Sequence, residues 1–134
     1  MSERRPGELA WGWRDALLCR DAAAFAGLFA PDGVMIDVEY RTDDLSRTRP
    51  LRGRAAIEAE SRAWFASTPV FDYQIRKVLC DERSAAKLWR YTVPGIAEEL
   101  VIDGVTWLTC ARGEIQQALV YFDSHALLRG LGRV

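Results

Sequence analysis

From Glu8 to Arg20 the apolar residues Leu9, Trp13, Ala16 and Leu17 recur at i, i+4, i+7 and i+8, which puts them on one face of a helix. Asp21 is a suitable N-cap for a second helix carrying Phe25, Leu28 and Phe29 on one stripe, and Pro31-Asp32-Gly33 is read as its stop. The pattern then changes to alternation. In Val34 to Tyr40, Met35, Asp37 and Glu39 share one face of a strand, and Val34, Ile36, Val38 and Tyr40 share the other. Arg41 to Pro50 is polar apart from Leu45 and reads as a loop or lid. Gly53 precedes a third helix, Arg54 to Ser67, with a stripe of Ile57, Ser61, Trp64 and Phe65 broken at Thr68-Pro69. Beyond Pro69 the chain is extended: Val70 to Leu79, Ala85 to Val93, Glu98 to Cys110 and Ile115 to Phe122, parted by turn-forming residues. Three helices followed by a run of antiparallel strands predict an α+β fold, with the helices gathered on one side of a curved sheet.

Composition narrows the partners. The 134 residues suffice for one domain, 1–134, with a single core. Eighteen basic and 19 acidic residues leave a formal charge of −1, so no global field draws nucleic acid or an anionic membrane. Residues Met1 to Gly7 lack the apolar core of a signal peptide, and no run reaches the roughly 18 apolar residues of a membrane span. A cytoplasmic location is expected. Cys19, Cys80 and Cys110 are scattered without paired spacing, and His125 is the sole histidine, so neither a disulfide nor a metal site is expected. No cofactor is called for.

The candidate chemistry sits in the Val34 to Tyr40 strand. If the Met35, Asp37, Glu39 face looks into an apolar enclosure, the Asp37 carboxyl pKa rises and the group is suited to proton transfer; if that face is wet, Asp37 is an ordinary surface acid. Asp103 is either a second acid or a turn residue before Gly104, and it shares a face with Val105 and Trp107. The five tryptophans, with Tyr73, Tyr91, Phe71 and Phe122, suit a core and would also suit a cavity for a flat polycyclic or polyene ligand. His125 and Asp123 lie at the end of the last strand or beyond it.

Four segments occur in a distinctive order: Ala16 to Phe25, Leu28 to Val34, Leu51 to Ile57, and Tyr121-Phe122-Asp123-Ser124-His125-Ala126-Leu127-Leu128. Together they resemble the nuclear transport factor 2-like superfamily, in its SnoaL-like and ketosteroid isomerase-like branch. The resemblance implies a cone of curved sheet plugged by helices, a deep apolar pocket, and a homodimer. It places Asp37 at the position of the isomerases' general-base aspartate, and Trp13 where they carry a tyrosine that donates to the enolate oxygen. Val105 falls on the position of their protonated aspartic acid, with Asp103 two residues away. Epoxide hydrolases of the superfamily carry Trp-Arg-Asp where this chain reads Ala118-Leu119-Val120, and Arg-x-Asp where it reads Lys87-Leu88-Trp89.

The function expected on this resemblance is a cofactor-independent enzyme of secondary metabolism. It would isomerise, cyclise or dehydrate a polycyclic, polyketide or terpenoid-like molecule, with Asp37 as base and Trp13 and Asp103 steadying the oxyanion. Met35, Glu39, Trp64, Trp89, Tyr91, Val105, Trp107, Val120 and Phe122 would line the pocket. Two alternatives remain: an epoxide hydrolase with a rearranged acid set, and a hydrophobic ligand-binding domain without turnover.

Overall fold

The first helix, α1 (Pro6–Cys19), starts at a proline in its first turn, where the missing N–H leaves no bond unmade. It ends at Arg20, whose left-handed backbone (φ 54°) lets the N–H groups of Arg20 and Asp21 bond to Leu17 and Ala16 carbonyls. The buried stripe is Leu9, Ala10, Trp13, Ala16 and Leu17. The Asp21 side chain accepts from the Ala24 N–H at 2.9 Å, capping α2 (Ala22–Ala26). The computed structural model describes residues 3–38, 50–94 and 99–123.

Six strands follow: β1 (Phe29–Val38), β2 (Pro50–Arg52), β3 (Asp72–Cys80), β4 (Ser84–Val93), β5 (Leu100–Ala111) and β6 (Glu114–Phe122), with α3 (Arg54–Ser67) between β2 and β3. They form one curled, unclosed sheet in the order β2-β1-β6-β5-β4-β3. The β1–β6 pair is parallel and every other pair antiparallel. The helices lie in the concave side, and the core is the layer between them, from Leu9, Trp13 and Phe25 to Phe29, Trp89, Leu108 and Ile115.

Two local features depart from the pattern reading. The second helix is only five residues long, and β1 begins at Phe29 rather than Val34. Pro31-Asp32-Gly33 does not stop a helix; it bulges out of the strand, and the β1–β6 register shifts between Phe29 and Val34. Gly33 sits so close to the Ile115 carbonyl oxygen that a Cβ there would stand 2.8 Å from it. The short β2 strand pairs Leu51 with Met35. Arg54 then locks the start of α3 to this corner, donating to the Phe29 carbonyl from Nε (3.0 Å) and Nη2 (2.6 Å), and pairing with Glu114 at 2.7 Å.

Candidate functional site

Strand register decides which side chains share the concave face. Asp37 pairs with Val120, Val120 with Thr106, Thr106 with Lys87 and Lys87 with Val78. Directly paired residues point to the same side of a sheet, so these five form one row across five strands. The neighbouring row runs Met35, Ala118, Leu108, Ala85, Cys80, and on the other side lie Phe122, Gly104, Trp89 and Ile75. Burial grades along the central row. Lys87 and Thr106 are fully buried, Val120 and Val78 are partly covered, and Asp37 is exposed. The carboxylate therefore stands at an open edge of the concave face, and the amine lies in its interior. Three inter-strand spacings separate their backbones, on the order of 14 Å along the sheet.

The interior end is aromatic. Trp13 from α1 meets Phe25 edge-to-face at 4.7 Å and Phe29 at 5.9 Å. The Lys87 Nζ lies 3.8 Å from the Trp13 ring centroid and 5.0 Å from that of Tyr73. Tyr73 stacks on Trp89 at 5.5 Å, and the Trp89 indole N–H donates to the Thr106 hydroxyl oxygen at 2.9 Å. Gly104 makes this stacking possible, because a Cβ there would run into the Trp89 ring and the Tyr121 carbonyl oxygen. Neither Lys87 Nζ nor the Tyr73 hydroxyl finds a hydrogen-bond partner of normal geometry among the described residues. Burial holds the Lys87 amine well below the ordinary lysine range. It raises the Tyr73 phenol well above its own range, an effect the nearby Thr106 hydroxyl partly opposes. The Cys110 thiol, also facing inward, is pushed up to about 11 by burial.

A second aromatic group closes the other end. Trp64, at 37% exposure, lies 5.2 Å from Phe71 and 6.2 Å from Tyr91, and Phe71 lies 5.0 Å from Tyr91. Arg20 lies over the Phe71 ring at 5.5 Å while donating to the Thr68 and Phe65 carbonyls at the end of α3. Half-burial raises the Tyr91 pKa, and the Arg20 charge pulls it partly back.

The expected site residues divide between the two faces. Asp37, Met35, Trp89, Tyr91, Val120 and Phe122 lie on the concave face, with Trp13 above it and Trp64 at its rim. Asp103, Val105 and Trp107 share a face, but it is the convex one, opposite to Ile102, Thr106 and Leu108. Asp103 accepts from Arg90 at 2.8 and 3.1 Å in the open, and that hydrogen-bonded guanidinium holds its carboxyl below the usual range. It is thus a surface ion-pair partner, far from Trp13 in orientation, because alternation along β5 sends odd-numbered residues outward. Glu39, His125 and the Arg41–Arg49 lid lie outside the described residues. Lys87, Thr106 and Tyr73 are the inward polar groups that the candidate set omitted. The parity of Ala85, Lys87, Trp89 and Tyr91 was the available signal. Among the described residues no cluster of histidine, cysteine, aspartate or glutamate is arranged to hold a metal ion, and no helix is long and apolar enough to cross a membrane.

A family model for the SnoaL-like domain matches residues 12–118, a span from α1 through most of β6. The chain belongs to the SnoaL-like domain family. Solved structures agree on the fold of this SnoaL-like domain. A protein of ketosteroid isomerase-like fold from Catenulispora acidiphila, in complex with trimethylamine, superposes with a TM-score of 0.77 at 20% identity, over 93% of this chain and 92% of that one. A candidate SnoaL-like polyketide cyclase from Shewanella putrefaciens gives 0.76 at 16% identity, covering 96% and 86%. A limonene-epoxide-hydrolase-like (LEH-like) epoxide hydrolase of M. tuberculosis gives 0.69 at 15%, covering 93% and 87%. At these identities the likeness establishes the cone-like α+β fold. No curated protein matches the sequence at a significant level.

Proposed function

We propose that this SnoaL-like domain is a cofactor-independent enzyme that moves a proton on a small hydrophobic molecule held against the concave face, in an isomerisation, cyclisation or dehydration. The observation that carries this reading is the cross-strand row Asp37, Val120, Thr106, Lys87, which sets a carboxylate at the open edge of a largely aromatic interior. Asp37 acts as general base on a carbon-bound proton next to a carbonyl or hydroxyl. Met35, Val120, Phe122, Trp89, Tyr91 and Trp64 form the apolar walls, and Trp13 roofs the interior. Asp103, Val105 and Trp107 have no part in this site. Stacking surfaces that hold a flexible chain in a folded shape also favour ring closure by proximity.

The convex face supports a second copy of the chain as partner. Leu79, Leu88, Val105 and Trp107 are all exposed there, with the Arg90–Asp103 pair in the adjoining row. Exposed apolar residues grouped on two adjoining cross-strand rows are a feature of protein interfaces. The reading of function is tested with polycyclic ketones and polyketide-like poly-β-carbonyl compounds. Asp37→Asn is expected to lose turnover while retaining ligand affinity. Turnover by the variant at the wild-type rate refutes Asp37 as base, and epoxide opening that survives the change favours the hydrolase alternative.

A further inference from the structure

The chain has two lysines, and they sit in opposite surroundings. Lys77 is exposed on β3, whereas Lys87 is fully enclosed between Trp13 and Tyr73. A lysine ordinarily bends its amine out to water. Here β4 turns the side chain into the concave interior, and no described carboxylate, carbonyl or hydroxyl accepts its hydrogens. The Tyr73 hydroxyl is a second buried group without a bond of normal geometry, on a ring whose centroid is 5.0 Å from the amine. The surrounding elements supply Trp13 from α1, Tyr73 and Val78 from β3, and Thr106 from β5, none of them charged at neutral pH. Native interiors rarely leave two such groups without protein partners together, and a bound water, a ligand or a catalytic role accounts for those that do. With burial favouring the neutral amine, its lone pair is available as a nucleophile.

We propose that Lys87 is a carbonyl-reactive amine that condenses with an aldehyde or ketone ligand, with the Tyr73 hydroxyl as the adjoining proton relay. The Nζ lone pair attacks the carbonyl carbon, the C–O π pair moves to oxygen, and one amine proton passes to that oxygen, giving a carbinolamine. The second amine proton and the hydroxyl then depart as water, leaving a C=N bond in place of C=O. No oxidant or reductant is consumed. Planar carbonyl compounds with apolar flanks fit best, since the ring faces of Trp13 and Tyr73 bound the amine. An imine or its protonated form acidifies the adjacent C–H. The inference stands apart from the proposed function, because imine formation does not need Asp37.

The test uses the full chain and acetylacetone, a small 1,3-diketone that traps a neutral lysine as a near-ultraviolet-absorbing enaminone with loss of one water. The expected result is a mass gain of one diketone less one water, mapped to Lys87 and absent from Lys77 and the terminal amine. Lys87→Met is expected to abolish the absorbance, and Lys77→Gln to leave it unchanged. Tyr73→Phe slows the adduct without moving it. Asp37→Asn still forms it, so this inference and the Asp37 assignment fail separately. Labelling confined to Lys77 or the terminus, no labelling of the folded wild-type chain, or absorbance persisting in Lys87→Met overturns the proposal. Should Lys87→Met not fold, the mapped position in the wild-type chain decides alone.

Discussion

Replacing Lys87 by methionine removes the least satisfied group in the interior while keeping a side chain of similar length and volume between Trp13 and Tyr73. A buried donor without an acceptor costs about 1–3 kcal/mol. Lys87→Met is therefore expected to be more stable at neutral pH by about 1–3 kcal/mol. At 134 residues each kcal/mol moves Tm by about 4 °C, so the melting temperature should rise by about 4–12 °C. The pH dependence has a definite sign. The folded-state pKa of Lys87 lies well below its unfolded value, so between the two the unfolded chain binds a proton that the folded chain lacks. The Lys87 contribution to wild-type stability therefore rises with pH across that window, up to about 10.4, and the advantage of Lys87→Met shrinks along it. Tyr73 and Cys110 work in the opposite sense. Their raised values mean that the unfolded chain loses protons first in alkali, so both proteins weaken above roughly pH 9–10. Thermal melts followed by circular dichroism from neutral to alkaline pH measure both trends. A variant no more stable than wild type at neutral pH, with a difference independent of pH, would show that the amine carries a paired charge and would refute the argument.

Three further substitutions separate the two faces of the sheet. Gly104→Ala should destabilise the fold by about 1–3 kcal/mol by overpacking, and should change the near-ultraviolet circular dichroism as Trp89 leaves its place over β5. Asp103→Asn should leave both Tm and turnover unchanged, since its Arg90 partner is on the open convex face; a loss of turnover would return Asp103 to the site. Trp107→Glu should shift the chain toward monomer in sedimentation or light scattering with Tm measured in parallel, and an unchanged mass would reject the convex face as the interface.

Much of the framework was legible in the chain because amphipathic spacing carries it. The α1 stripe through Trp13, the Asp21 cap and the Ile57, Ser61, Phe65 stripe of α3 stand where the spacing puts them. The beginning of β1 was hidden because Phe29 fits either a helix stripe or a strand, and a proline followed by Asp-Gly usually marks a stop rather than a bulge. The three residues of β2 are too few to show a period. Alternation correctly grouped Asp103, Val105 and Trp107, yet gave no sign of which face is inward. Both parities of β5 are apolar: Ile102 and Leu108 on one side, Val105 and Trp107 on the other. With apolar side chains at both parities, the strand loses the polar contrast that normally orients it. Lys87 was missed for the opposite reason. A charged residue is assigned to solvent by default, although its neighbours at the same parity, Ala85 and Trp89, are buried.

The central claim is that the concave face carries out proton transfer through Asp37, and it is met most directly by hydrogen–deuterium exchange at carbon. A panel of cyclic and polycyclic ketones is incubated with the protein in deuterium oxide and followed by proton NMR, a readout that does not depend on the identity of the final product. The account predicts that the wild-type chain accelerates exchange next to the carbonyl for at least one compound, and that Asp37→Asn lowers that acceleration by about 10²–10⁴-fold, the usual contribution of a positioned base. Exchange no faster than in buffer across the panel, or acceleration that survives in Asp37→Asn, would contradict it.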